Sequence, residues 1–413
     1  GGGSTITIAG IASVTSSVTA PSFVGAVTGN VTGNVTGNVT GTSSGLSGNP
    51  SINTTGIVTA TSFVPTVGQL SHRNKVINGD MRISQRGASF SQTTSAEYTL
   101  DRFKHGVGSA FNFDTTITQD SSAPDGFFKS LKVVPDTTQT PSGSANGTIQ
   151  QHIEGQDLQD FAFGSSSAKS MTVSFYAKSG STNNNHQYGL QLRTRDSSNG
   201  ARYVSQAFTV TTSWQRYTMT FAGNTSVAMR NDNDDGLEIV FHLVTGPDDI
   251  VSAKSTWTND GSYRTVTGQS NFMDNTSNEF YLTGVQLEVG PVATPFEHRS
   301  VGEELRRCQR YYIRLTRGGG NAMHFPGSTK QQQYVSCSRV ELPTTMRAAP
   351  SVSFTGTRDI LNYSNDNSGF SGDIIDTDSF NIRWGSSTTI GDGTGYTAAL
   401  TGNPNYIECS AEL

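Results

Sequence analysis

The side chains best suited to chemistry sit in a few oxygen-rich clusters. The run Asn231-Asp232-Asn233-Asp234-Asp235-Gly236 puts Asn231, Asn233 and Asp235 at the first, third and fifth positions of a calcium loop. The twelfth position is His242 rather than Glu, so an EF-hand fails and a bare acidic turn is the simpler reading. These three residues stand as a weak calcium candidate, and no other cofactor is expected. Glu154, Asp157 and Asp160 form a second acidic cluster that reads as an exposed turn. Glycoside hydrolysis uses paired carboxylates, which spacing along a sequence does not reveal.

Other chemistry lacks its residues. The seven histidines never pair at metal-ligand spacing, and there is no HExxH, GxSxG, P-loop or GxGxxG motif. Cys308, Cys337 and Cys409 form no CxxC pair and are odd in number, which argues for buried thiols over a disulfide framework or zinc site. The chain is therefore expected not to be an enzyme.

Binding is better provided for. Residues 246–270 are polar, without strand periodicity, and carry Trp257 and Tyr263. Long loops of this kind are often functional. A ring there could stack on a sugar face while Asp248, Asp249, Asn259 and Asp260 accept hydroxyl protons. The competing reading has these rings pin the loop to the fold. Trp214 opens a strand and is expected in the core.

These residues must be held by strands. Residues 172–178, 188–195, 214–221, 237–243 and 280–289 alternate apolar with polar side chains and are separated by turn residues. No helical periods intervene, so an antiparallel sandwich is expected over a parallel α/β sheet. The abundance of Gly, Ser and Thr fits an all-β chain.

Charge is distributed unevenly. Charged residues make up 15% of the chain, yet residues 1–71 contain no Asp, Glu, Lys, Arg or His. Disordered tails usually carry high net charge, and a nucleic-acid arm must be basic. A net charge of −5 also argues against nucleic acid as partner. No stretch approaches a membrane-spanning run of apolar residues. Residues 1–30 hold neither the basic segment nor the apolar run of a signal peptide. The first methionine is Met81, and the later part of a longer product is expected rather than a processed chain.

The charge-free segment is a repeat. Residues 27–41 read VTGNVTGNVTGNVTG, placing Val27, Val31, Val35 and Val39 at a spacing of four. Gly and Asn with β-branched residues disfavour a helix, and in extended chain all four valines share a face. Thr19-Ala20-Pro21-Ser22-Phe23-Val24 recurs as Thr59-Ala60-Thr61-Ser62-Phe63-Val64. Two aromatics cannot build a core for a single chain of this length, but three chains about one axis can. A trimeric β shaft follows, with the four valines, Phe23 and Phe63 on its axis; a Gly/Ser/Thr linker is the competing reading. Asn30, Asn34 and Asn38 open N-x-T sequons, which are by-products of the repeat.

Several further motifs occur in order. Asn74-Lys75-Val76-Ile77-Asn78-Gly79-Asp80-Met81, Gln85-Arg86-Gly87 and Tyr98-Thr99-Leu100-Asp101-Arg102-Phe103 resemble the opening of a module of bacteriophage tail fibres. Leu282 to Gly290, Ala293 to Arg299, Gly302-Glu303-Glu304-Leu305 and Cys308-Gln309-Arg310-Tyr311-Tyr312 resemble its close. The interior strands are similar to jelly-roll carbohydrate-binding modules, and the shaft to those of cyanophage fibres. The resemblance implies a jelly roll on a viral fibre that binds glycan. Jelly-roll modules often carry a structural calcium, which keeps that candidate open.

Ser300 and Glu303 form a capping box, and Leu305, Cys308, Gln309 and Tyr312 share a helical face. A short helix within 300–312 is expected, its apolar face on the threefold axis or on a neighbour. Strands resume at 333–340, 351–354, 380–384 and 405–413. Residues 342–350 and 407–413 resemble the terminal domain of phage fibres, and Trp384, Tyr363 and Tyr396 are its candidate contacts.

The expected organisation is a shaft over 1–71, a jelly roll over 72–299, a linking helix over 300–312 and a small C-terminal β-sandwich tip over 313–413. The expected function is that of a homotrimeric virion fibre, joined to other tail or capsid proteins at its N-terminal end and attaching to host surface glycan. The alternatives are a structural decoration fibre and a glycan depolymerase.

Overall fold

The computed structural model describes residues 71–92, 96–108, 111–195, 200–251, 254–259, 265–316, 323–330, 334–361, 370–385 and 395–413. The chain divides after Phe63, and these residues belong to the second unit. The expected shaft, with Phe23, Val27, Val31, Val35, Val39 and Phe63, lies outside the described residues.

Fifteen strands make the first lobe: β1 Ser89–Gln92, β2 Glu97–Tyr98, β3 Lys104–Gly108, β4 Thr115–Asp120, β5 Ser130–Pro135, β6 Asn146–Glu154, β7 Met171–Ser179, β8 Gln187–Thr194, β9 Arg202–Thr209, β10 Gln215–Phe221, β11 Asp235–Thr245, β12 Ile250–Val251, β13 Lys254–Thr258, β14 Thr265–Val266 and β15 Phe280–Val289. One antiparallel sheet, A, runs β1-β4-β5-β15-β7-β10, and a second, B, runs β13-β9-β8-β11-β6-β3-β2. This is the antiparallel sandwich read from strand alternation, in the jelly-roll class that the resemblance implies. Residues 246–270 differ from expectation: they carry β12 and β14, which pair in parallel, and β13, which extends sheet B beside β9. The β-branched and aromatic residues of Lys254–Thr258 suffice for an edge strand, although the run is too short for its period to show.

The two sheets meet through aromatic side chains. Phe175 of sheet A meets Phe208 and Phe241 of sheet B edge to face, with ring centres 5.0 Å apart in both cases. Val173, Ala177, Leu190, Leu192, Leu237, Ile239 and Leu282 fill the space around them and are shut off from solvent. Inward residues alternate with outward ones, as the pleat requires.

The second lobe follows helix α1, Val301–Gln309, whose Ser300 Oγ accepts from the Glu303 amide at 3.2 Å. Glu303 pairs with Arg307 instead of returning the cap. Strands β16 Tyr312–Thr316, β17 Met323–Lys330, β18 Tyr334–Glu341, β19 Ser351–Leu361, β20 Phe370–Asp373, β21 Ser379–Gly385 and β22 Gly395–Ser410 form one sheet. It curls until Gly372 of β20 lies against Val352 of β19. Ile313, Phe380, Ile382, Leu400 and Ile407 form the core between its layers. Among the described residues no helix is long and apolar enough to cross a membrane.

The motif residues join the lobes. Asn78 adopts a positive φ of 59°, its amide donates to Ile83 O and Asp101 O, and its Oδ1 accepts from Ile83 N. Asn tolerates this backbone better than most residues. A Cβ on Gly79 would lie 2.1 Å from Val285 O, which explains the glycine. Arg102 is fully buried, pairs with Glu412, donates to His152 O and lies over the Tyr311 ring. Arg86 pairs with Glu412 at 3.0 Å and lies over Tyr312, while Tyr98 donates to Leu413 O at 2.6 Å.

Glu154, expected in an exposed turn, is fully buried. It accepts from Arg310 at 2.7 Å and from Tyr311 Oη at 2.6 Å. The acidic run looks hydrophilic in sequence, but its first member ends β6 where the second lobe docks. Helix α1 also departs from expectation. Cys308 and Glu304 are buried, and Glu304 accepts from the Asn78 backbone N–H and pairs with Arg299. The buried face of α1 thus packs on its own chain.

Candidate functional site

Core packing of Leu237, Ile239 and Phe241 sends their neighbours in β11 to the outer face of sheet B. The strand register then aligns polar residues across four strands. His152 of β6 pairs with Glu238 of β11, Glu238 with Arg193 of β8, and Arg193 with Tyr203 of β9. The adjacent row runs Lys104, Gln150, Val240, Gln191 and Ser205.

Glu238 is the centre of the first row and is 2% exposed. Arg193 donates to its Oε2 at 3.1 Å and Arg195 to its Oε1 at 2.9 Å. His152 Nδ1 lies 2.9 Å from Asp235 Oδ2, and its Nε2 lies 3.2 Å from Gln150 Oε1. The Arg193 guanidinium lies 5.6 Å from the centre of the Tyr203 ring. Arg193, Arg195, Tyr203, Gln150 and Lys104 remain partly exposed around the buried Glu238 and His152. Residues 265–270 border the patch: Thr265 lies against Gly189, and Gln269 donates to His242 O.

Burial raises the Asp235 pKa, but the hydrogen bond and charge of His152, aided by Arg195, outweigh it and hold the carboxyl below the usual carboxylate range. An acid ionised at neutral pH is a poor proton donor. His152, Asp235 and Glu238 bring ligand atoms within 4.8 Å of one another, close enough for a divalent cation. Both Glu238 oxygens already accept from guanidiniums, however, and a cation would face two like charges. Sugar hydroxyls both donate and accept, so they suit this mixture of carboxylate, guanidinium, amide and imidazole groups.

Of the described residues chosen from sequence, Asp235 belongs to this patch, whereas Trp257, Asp248, Asp249 and Asn259 are not among its bonded members. Trp257 donates its indole N–H to Ala222 O at 2.6 Å and meets Phe163 edge to face, which pins β13 to the core. Asp248 and Asp249 share a 3-10 turn whose amides donate to Gly143 O and Gly246 O. Asp249 is buried beside Ser144, and Asn259 is exposed. Asp260, Tyr263 and Tyr363 lie outside the described residues; Trp384 and Tyr396 lie in β21 and β22, with side chains outside them.

Two of the three calcium candidates have other partners. Asn233 donates to Arg347 O, Asp235 faces His152, and Arg230 grips Asp232 and Asp234. Trp214, expected in the core, stands half-buried on the outer face of sheet A beside Tyr281. Glu238, Arg193 and Arg195 were legible as outward positions of alternating strands. Their meeting depends on register, which the alternation does not specify.

No family model matches the chain, and no curated protein does. Solved structures similar to it include tailspike protein 4 of bacteriophage CBA120, its enzymatically active domain, at 14% identity and a TM-score of 0.28. That likeness covers 52% of this chain and 21% of that one, so the chain spans about a fifth of the length of the solved tailspike domain. A xylan-binding domain from Paenibacillus barcinonensis matches at 11% identity and a TM-score of 0.25, over 50% of this chain and 94% of the domain. A family 11 carbohydrate-binding module from Clostridium thermocellum, solved with a mixed-linked tetrasaccharide, matches at 11% identity and a TM-score of 0.26, over 51% of this chain and 98% of the module. The neighbours thus include a phage tailspike domain and carbohydrate-binding modules.

Proposed function

We propose that this protein is a homotrimeric virion fibre that attaches to host surface glycan without cleaving it, through the outer face of sheet B. The observation that carries the reading is the Glu238 carboxylate, buried in the sheet surface and held by Arg193 and Arg195 beside His152 and Gln150. Fixed donors and acceptors of this kind recognise hydroxyl patterns with little reorganisation. Tyr203 supplies an apolar face beside them for a sugar ring. Both carboxylates of the patch are already bonded to basic side chains, which favours binding over acid catalysis. The fibre assignment rests on the charge-free Val repeat and the ordered motifs. Single sugar sites are weak, and three copies per fibre would multiply their avidity.

Titration of purified protein with host surface polysaccharide, followed by calorimetry and a reducing-end assay, tests the reading. Saturable binding without released ends is expected. Release of ends, or no binding to any host glycan, would overturn it.

A further inference from the structure

The outer face of sheet A carries a second row of side chains in register. Ser89 pairs with Thr118, Thr118 with Lys132, Lys132 with Tyr281, and Tyr281 with Lys178. Trp214 precedes Gln215, which pairs with Ala177, so the indole continues the row beyond Lys178. Lys178 Nζ lies 4.4 Å from the Tyr281 ring centre and 5.4 Å from that of Trp214. Lys132 Nζ lies 5.2 Å from the Tyr281 ring centre and 2.7 Å from Glu279 Oε1. The next row adds Arg216, paired in register with Tyr176 and bonded to Ser174 Oγ and Thr294 O.

The charges of this cluster do not balance. Glu279 is committed to Lys132 and to the Tyr281 hydroxyl. Burial raises the Glu279 pKa, but the bond and charge of Lys132, with a smaller through-space contribution from Lys178, hold it below the usual range; among the described residues Lys178 has no carboxylate at ion-pairing distance. Among the described residues Arg216 bonds only neutral oxygens. Two cations thus stand near the half-buried Trp214 and Tyr176 and the buried Tyr281, in a protein whose net charge is −5. General attraction of a polyanion is therefore excluded, and any affinity for one must be local.

We propose that this face is a second binding site, selective for acidic polysaccharide, in which Lys178 and Arg216 pair with carboxylate or sulfate groups and the Trp214 ring packs against a sugar face. Aromatic rings offer sugars an apolar surface, and ammonium or guanidinium groups beside them give the preference for charge. The row crosses five strands, so a polymer chain rather than a single sugar matches its length. Sheet B supplies a separate face, and this site does not depend on it.

The test is a titration of the whole chain with polygalacturonate, dextran sulfate and neutral dextran at low salt. Binding to one or both acidic polymers, with weakening in high salt, is expected. Lys178→Gln and Trp214→Ala should each weaken it about tenfold, with melting curves confirming the fold. Glu279→Gln releases Lys132 and should strengthen binding, an outcome that misfolding cannot mimic. Equal affinity of wild type and Glu279→Gln, no binding of either acidic polymer, or equal binding of neutral dextran would each overturn the proposal.

Discussion

The Arg102 guanidinium lies 3.4 Å from the centre of the Tyr311 ring, and neither side chain meets solvent. A buried charge needs a counter-charge, which Glu412 provides from the C-terminal residues of the second lobe. The two lobes are therefore joined by buried polar bonds as well as by α1, and the motifs that resemble phage fibres supply those bonds.

Glu412→Ala should leave Arg102 and Arg86 without their shared carboxylate. Removal of one partner of a buried pair costs about 3–5 kcal/mol. A large fall in melting temperature, with earlier proteolytic cutting between the lobes, is the expected result.

Glu154 gives the joint a pH dependence. Burial raises its pKa, but the bonds from Arg310 and Tyr311 and the Arg310 charge bring the net value below the usual range. A carboxyl depressed in the folded state adds stability that is complete above its unfolded pKa. That stability is lost as pH falls through the folded value. Melting temperature should therefore drop between about pH 5 and pH 3. Glu154→Gln should lower it at neutral pH and flatten the acid limb.

Gly79→Ala tests the fit of the first motif against β15. Its Cβ would meet Val285 O at 2.1 Å, and Val285 N already donates to Gly79 O. Overpacking of this kind costs about 1–3 kcal/mol. Denaturant unfolding should show the loss without a change in secondary structure.

The shaft is tested through its valines. Val31→Asp with Val35→Asp would repeat each charge three times in a desolvated axis. The trimer should lose its resistance to heat and detergent. Unchanged resistance would remove the axial reading.

The sequence was informative where a residue's role followed from its own strand. Alternation located β7, β8, β10, β11 and β15 almost to the residue, and the capping box located α1. It failed where the role depended on distant partners. Trp214 is not in the core, whereas of the two readings open for Trp257 the one that pins its segment to the fold holds. Trp214 follows a turn and takes the outward side of its strand, while the indole of Trp257 reaches back to Ala222 and Phe163. Glu154 looked exposed because Arg310 and Tyr311, its partners, lie far along the chain. The Glu238 patch stayed hidden because its neighbours meet only through the register of four strands.

The central claim is recognition of glycan at Glu238 and its neighbours. Binding of wild type, Arg193→Ala and Tyr203→Ala to an array of host-surface glycans, with each variant's fold checked by melting, tests it most directly. The account predicts a restricted set of glycans for wild type and a loss of about tenfold or more in both variants. Wild-type binding that both variants retain in full would contradict it.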